Sequence, residues 1–304
     1  MITLFAVPKS FQGHFKVIQT NAIRSWALLS PKPEIILLGD DAGTAQIASE
    51  LGLRHIASIQ RNKYGTPLMC SVFELGQKAA SNNWVCYINS DIILMSDFMQ
   101  MVDKVSRQLK GDFLAIGRKS NLEINRLIDY SFAGWETELR NMVGKKGKYV
   151  TYDSDFFLFP TGMFKGIPPF ALGRCFWTQW LIYKARANHI PVINTTACVM
   201  SVESKHDYSH AKSTGFAKRL SGPEYVLNRK LFKGCKYFTT ADCTQLLTSR
   251  GIVKAPWGNR FLSLRIRAEY CVYFLLKGNL YPYSLPLIIL YRWGLASYRM
   301  AIGR

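Results

Sequence analysis

Asn89-Ser90-Asp91 interrupts an apolar run. Val85-Cys86-Tyr87-Ile88 leads into the triplet and Ile92-Ile93-Leu94-Met95 follows it. A carboxylate at the end of a buried strand is placed to hold a divalent cation. Hard cations such as Mg²⁺ and Mn²⁺ take carboxylate oxygens and complete their shell with phosphate and water. That chemistry suits a diphosphate. Asp40 closes a second apolar stretch, 34–40, and the loop 8–13 follows a third. Further along, His206 and His210 stand four apart in the segment His-Asp-Tyr-Ser-His, on one face if it is helical. No Glu follows the first His, so this is not a zinc-protease pair.

The surrounding pattern is what would position these groups. Residues 2–7 read as a strand and 14–30 as a helix, with Phe15, Ile18, Ala22, Trp26 and Leu29 on one stripe. Then come a strand at 34–40, a helix at 43–52, a strand at 54–59, and a helix at 66–81 with Thr66 as cap and Pro67 in its first position. A fourth strand at 84–89 runs into the triplet. Further on, a helix at 97–109 and strands at 113–117 and 155–160 are expected, followed by a helix at 178–189 and a strand at 191–196. Strands alternating with helices imply an α/β fold, with a mostly parallel sheet covered on both faces and ligands at the carboxyl ends of its strands. Asp40, Asn89, Ser90, Asp91 and the 8–13 loop all fall there.

The chain has 304 residues, 48% of them hydrophobic and 19% charged, enough for one large domain and an appendage and too apolar for a disordered chain. Lys and Arg number 39 against 20 Asp and Glu, a net +19 that favours an anionic partner: nucleic acid, an anionic membrane face or a phosphorylated substrate. Seven cysteines without C-x-x-C spacing argue against a disulfide framework or a cysteine zinc site. The start, Met-Ile-Thr-Leu-Phe-Ala-Val, reads as a strand and not as a signal peptide, and no run reaches the length of a membrane-spanning helix.

The order strand–helix–strand–Gly39-Asp40–helix–strand–Arg61-Asn62-Lys63-Tyr64-Gly65-Thr66-Pro67–helix–strand–Asn89-Ser90-Asp91 resembles GT-A-type glycosyltransferases. The segments 6–26, 61–68, 155–164, 167–174, 180–193 and 206–210 resemble uncharacterised bacterial GT-A-like proteins. The triplet looks like a degenerate D-x-D motif, with Asn89 in the first place and Asp91 in the last. The resemblance covers about residues 1–256, and it implies a GT-A catalytic domain whose nucleotide-sugar half is about 1–118 and whose acceptor half is about 119–256. By the same resemblance Pro8 and Lys9 would lie beside the nucleobase and Asp40 at base or ribose. Arg61 would lie near ribose or diphosphate. Asn89, Ser90 and Asp91 would hold ribose, metal and diphosphate, and His206 would complete the shell of a Mn²⁺ or Mg²⁺ ion.

The family's usual catalytic acid begins a helix after the acceptor loop. Here Thr178 and Gln179 stand in its place, and neither is a usable base near neutral pH. Asp155, with Asp153 two residues earlier, is the substitute, and Asp155 is the expected base; a retaining mechanism, which needs none, stays open. Trp177 could stack on a sugar face, whereas Trp180 leads into the apolar face of the helix. Residues 257–304 mix basic residues with aromatics and aliphatics, and Glu269 is their only acidic residue. That composition suits a basic amphipathic helical extension lying in an anionic membrane interface. No nucleic-acid recognition pattern accompanies the charge.

The expectation is a glycosyltransferase, cytoplasmic and peripheral to the inner face of the membrane. It would move a sugar from a nucleotide diphosphate sugar to a glycan or lipid-linked acceptor in cell-surface polysaccharide synthesis, such as O-antigen or capsule. Two alternatives stand beside it. One is a sugar nucleotidylyltransferase, disfavoured because the 8–13 loop lacks paired glycines. The other is a non-catalytic GT-A-like domain that binds membrane or glycan, favoured by the missing acid.

Overall fold

The computed structural model describes residues 1–149, 154–204, 222–256, 262–264 and 266. His206, His210, Asp153 and nearly all of 257–304 lie outside the described residues. The chain divides into two compact units, Met1–Ala255 and Pro256–Arg304. Of the second, Leu262–Leu264 and Ile266 are helical. No helix among the described residues is long and apolar enough to cross a membrane.

The first unit opens with three βα units. Strand β1 (Thr3–Ala6) is followed by α1 (Gly13–Ala27), β2 (Glu34–Leu38) by α2 (Thr44–Leu51), and β3 (Arg54–Ile56) by α3 (Met69–Ala79). Strand β4 (Trp84–Ile88) then lies beside β1. Short β5 (Ile92–Ile93), α4 (Ser96–Gln108), β6 (Leu114–Ile116), β7 (Lys119–Leu122), α5 (Trp135–Lys146) and β8 (Lys148–Tyr149) follow. The second half contributes β9 (Phe156–Pro160), α6 (Trp177–Ala187), β10 (Val192–Asn194), β11 (Ser201–Ser204), α7 (Pro223–Leu231), β12 (Gln245–Thr248) and β13 (Gly251–Lys254).

Nine strands form one sheet in the order β13-β12-β10-β6-β9-β4-β1-β2-β3. Within it β3, β2, β1 and β4 run parallel to one another, as do β6, β10 and β12, while β9 runs antiparallel to both β4 and β6. The sheet is thus mostly parallel, and helices cover both faces. On one face Leu4 and Ala6 share a core with Ala22, Ile23 and Trp26 of α1, Ile47 of α2, and Phe98 and Val102 of α4. On the other, Phe5 meets Phe73 of α3 edge to face at 5.4 Å, and Tyr87 meets Trp177 of α6 at 5.2 Å. Alternation along β1 and β4 sends successive side chains to opposite faces. Gly76 lets α3 lie close on β1, since a Cβ there would come within 2.4 Å of the Phe5 ring.

A second, smaller sheet has the order β5-β11-β7-β8. The chain leaves the large sheet at Ile88 and enters the small one at Ile92, so Asn89-Ser90-Asp91 is the corner between two sheets that share one core. Trp26 Nε1 donates to Ile92 O at 2.7 Å, and Leu94 N donates to Ser25 Oγ at 3.1 Å, so α1 clamps the new segment. The apolar run therefore continues through the triplet because both sides of the corner are buried; Ser90 itself is buried and its neighbours are half-buried.

The third helix begins later than its sequence suggests. Residues 61–67 form a tight hairpin in which Asn62 N donates to Thr66 O at 2.9 Å and Asn62 Oδ1 accepts from Tyr64 N and Thr66 N. Gly65 supplies the left-handed φ of +78°. Leu68 then pairs with Ala171, and the helix starts at Met69. Thr66 and Pro67 serve the hairpin, not the helix cap.

Glu34, at the head of β2, ties β1 to the end of α3. Its carboxylate accepts from Thr3 Oγ1 at 2.6 Å and from Ser81 N at 2.8 Å, and pairs with Arg54. Burial opposes its ionisation, but these donors win and hold its pKa at about 2. A depressed carboxylate stabilises the fold above its unfolded value near 4.5 and loses that contribution as pH falls toward 2. Solvent screening keeps the amount to about 1 kcal/mol. Glu34→Gln is expected to cost about that at pH 7 in urea unfolding. The gap to the native protein should close between pH 4.5 and 2.

Candidate active site

Two groups of polar residues occupy neighbouring strand ends of the large sheet. The first follows β1 and β2. Arg61 Nη2 contacts Asp40 Oδ1 and Asp41 Oδ2, both at 2.7 Å, and Nη1 donates to Gly65 O at 2.9 Å. Arg61 lowers the pKa of Asp40 through this hydrogen bond. The guanidinium is thus matched by two carboxylates, one of which, Asp41, sequence reasoning did not single out. Gly39 makes the approach possible, with φ +100° and Val7, Ile59 and Arg61 packed where a side chain would stand. Pro8 is buried and Lys9 is exposed, with Nζ 4.6 Å over the Phe15 ring.

The second group surrounds the corner after β4. Asn89 N donates to Asp155 O at 2.9 Å and Asn89 Nδ2 to Asp155 Oδ1 at 2.6 Å, while Tyr87 Oη donates to Asn89 Oδ1 at 3.1 Å. Asp155 reaches this place because β9 is inverted: Phe156 pairs with Ile88, so the beginning of β9 meets the end of β4. Lys119, at the start of β7, lies 3.0 Å from Asp155 Oδ2, a charge pair without hydrogen-bond alignment, and 2.7 Å from Glu203 Oε1 on β11. All three are nearly buried. Burial alone would strip the Lys119 proton, but the charges of Asp155, Glu203 and Asp91 hold it on. Burial pushes Glu203 up to about 7, opposed by Lys119 and reinforced by Asp91 and Asp155.

Asp91 belongs to the same electrostatic cluster. Its Oδ1 is buried and has no hydrogen-bond partner. Such an atom costs about 1–3 kcal/mol unless something binds it. The two groups are stitched together under the surface. Gln19 Oε1 accepts from Lys9 N at 2.7 Å and from Ser90 Oγ at 2.9 Å, and Gln19 Nε2 donates to Lys9 O at 2.9 Å. Val7, which follows β1, touches both sides. Ser90 Oγ lies 3.5 Å from Val7 O, and the Val7 side chain packs at Gly39. Asp40 and Asp91 follow strands two places apart in the sheet, whose ends are about 10 Å apart.

Among the described residues no group of three or more His, Cys, Asp or Glu is arranged to hold a metal ion. Among the described residues of the corner, two carboxylate oxygens are buried without a hydrogen bond, Asp91 Oδ1 and Asp155 Oδ2; Lys119 already faces the second, so Asp91 Oδ1 is the one whose chemistry fits a hard cation. Asn89 is committed to Asp155. His206, the expected second ligand, lies outside the described residues. Two cavities near the first half of the chain, of about 300 and 340 Å³, take in none of Asp40, Arg61, Asn89 or Asp91.

The place of the missing acid is filled structurally. Gln179 is buried and accepts from Phe176 N at 3.0 Å, capping the start of α6. Trp177 is buried against Tyr87 and Phe157 and so faces the core, contrary to the sugar-stacking expectation. Lys119 and Glu203 escaped sequence reasoning. The only sequence signal for either is a charge within a short alternating stretch, and nothing in the spacing links positions 119, 155 and 203.

No family model matches the chain and no curated protein matches it. Solved structures give distant likenesses. Glucosyl-3-phosphoglycerate synthase from Mycobacterium tuberculosis, in complex with Mn²⁺, UDP and glucosyl-3-phosphoglycerate, is 15% identical, with 84% of this chain and 87% of that chain covered and a TM-score of 0.47. S. aureus TarS is 16% identical over 67% of this chain and 35% of that one, with a TM-score of 0.41. The 1–349 fragment of TarS is 13% identical over 43% of this chain, with a TM-score of 0.32, and this chain spans 39% of its length. Likeness this distant carries no argument; the fold rests on the strand order and the site on its own geometry.

Proposed function

We propose that the chain is a glycosyltransferase that takes a nucleotide diphosphate sugar as donor. The observation that carries the reading is the unpartnered, buried Oδ1 of Asp91 at the corner between the sheets, on the same edge as the Asp40–Arg61 pair. In this reading Lys9 and Pro8 border the base, Asp40 takes base or ribose, and Arg61 orients Asp40 and Asp41. Asn89 and Ser90 fix the turn, and Asp91, with His206, holds a Mn²⁺ or Mg²⁺ ion. When bound, that ion neutralises charge on the departing nucleoside diphosphate. The acceptor is a glycan or lipid-linked sugar in cell-surface polysaccharide synthesis. Residues 257–304 bring the enzyme to the anionic inner face of the membrane.

Asp155 has one carboxylate oxygen on Asn89 and the other facing Lys119. That engagement suits a group that positions its neighbours better than one that takes a proton from the acceptor. A second reading, a domain that binds nucleotide or glycan without transfer, is favoured by Gln179, which caps a helix where the family's acid would stand.

Titration calorimetry with UDP, TDP and GDP, each with and without Mn²⁺, tests the donor site. Hydrolysis of the matching nucleotide sugars tests turnover. Binding of one diphosphate that tightens at least about tenfold with Mn²⁺, plus slow hydrolysis, is the expected result. Binding without any hydrolysis would favour the second reading in its nucleotide-binding form, and no binding would sink the glycosyltransferase reading and leave only a glycan-binding domain.

A further inference from the structure

We propose that Lys119 is a positioning residue of the donor corner, holding both ends of the Asn89–Ile92 turn that presents Asp91. The inference rests on the donor-site reading above for its functional consequence, but its structural content stands alone. Lys119 Nζ lies between two carboxylates, Asp155 at 3.0 Å and Glu203 at 2.7 Å. Asp155 immediately precedes β9 and Glu203 lies in β11, and these two strands flank the two ends of the turn. Asp155 holds Asn89 through its backbone carbonyl and its side chain. Glu203 stands opposite Ile92 in the antiparallel pairing of β11 with β5. The turn itself is closed by Ile92 N donating to Asn89 O at 3.2 Å. One ammonium thus ties the large sheet's β9 to the small sheet's β11 across the corner.

Charge makes the tie necessary. Asp91, Asp155 and Glu203 are grouped around a single cation, and the pair carboxylates are nearly buried. Without Lys119 the carboxylates repel one another in a medium that screens poorly, and the least restrained element, the turn, gives way. Asp91 would then be presented in many orientations.

The test uses the full chain. Hydrogen exchange is followed at the amides of Asn89 and Ile92, with Leu4 and Leu37 of the sheet core as internal controls, and UDP affinity is measured in Mn²⁺. Lys119→Met should speed exchange at Asn89 and Ile92 about tenfold or more with the controls unchanged, and should weaken UDP by a similar factor. Lys119→Arg, which keeps the charge, should restore both to within about threefold. Because Lys119→Met strands buried carboxylates and could fail to fold, Lys119→Met/Glu203→Met is the companion variant. It removes one charge of each sign and leaves Asp155 without its counter-ion. It should fold and still show fast exchange at Asn89. Native-like exchange at both amides in the double variant would overturn the proposal. If the native protein binds no diphosphate with Mn²⁺, the glycosyltransferase reading falls while the exchange data still decide the role of Lys119.

Discussion

Asp91→Ala is expected to weaken Mn²⁺-dependent nucleoside diphosphate binding by about a hundredfold or more while leaving the melting temperature unchanged or slightly raised. A hundredfold is about 2.7 kcal/mol, within reach of one carboxylate–cation contact made at a buried oxygen. The unchanged stability follows from the surroundings. Asp91 Oδ1 makes no hydrogen bond, and its charge disfavours ionisation of Glu203 in the same cluster. Removing it deletes repulsion toward Glu203 and attraction toward Lys119, which offset each other, and no hydrogen bond of that atom. Most buried polar substitutions do the reverse, since they strand a partner. Calorimetry and a thermal melt on the same sample check both halves, and retention of native affinity by Asp91→Ala would remove Asp91 from the donor site.

The largest loss of stability is expected at Asn228. Its side chain is fully buried in α7 and grips the loop before α6: Oδ1 accepts from Ala171 N at 2.8 Å, and Nδ2 donates to Ala171 O at 3.1 Å and Cys175 O at 3.0 Å. That loop in turn holds the 61–67 hairpin, through Met69 N to Phe170 O at 2.9 Å and Leu172 N to Pro67 O at 3.0 Å. Glu224, one turn earlier in α7, adds a grip on Asn62 and Arg174. Asn228→Ala removes three hydrogen bonds at about 1 kcal/mol each, a total near 3 kcal/mol. For a unit of this size that is roughly an 8 °C fall in melting temperature. Because the hairpin carries Arg61, the same variant should loosen Arg61 from Asp40 and Asp41. A melt within about 2 °C of native would show that water replaces the asparagine.

The two effects separate what could be read from the sequence from what could not. Strands and helices through Ile88 follow local periodicity, and β1, α1, β2, α2 and β4 stand within a few residues of where alternation and stripe placed them. The carboxyl-end location of Asp40 and Asp91 came with them, since a parallel sheet fixes which end of each strand is shared. The helix at 66–81 came out short because Asn62 and Gly65 build a turn whose hydrogen bonds outrank Pro67 as a helix opener. The second sheet was invisible for a different reason. β5, β7, β8 and β11 span two to four residues each, too short for alternation to show, and they pair across separations of 27 to 111 positions. Lys119 and Glu203 depend wholly on that pairing. The inversion of β9 likewise leaves no local mark, yet it alone brings Asp155 to Asn89.

Gln19 gives the corner a mechanical property that none of its charged residues supplies. One buried amide fastens the loop after the first strand to the loop after the fourth, so the two rims of the strand-end edge share a rivet. A molecule that nudges either rim must drag its counterpart along. In the proposed donor site, recognition of a base at one end and seating of a pyrophosphate at the other would then become a single event rather than two.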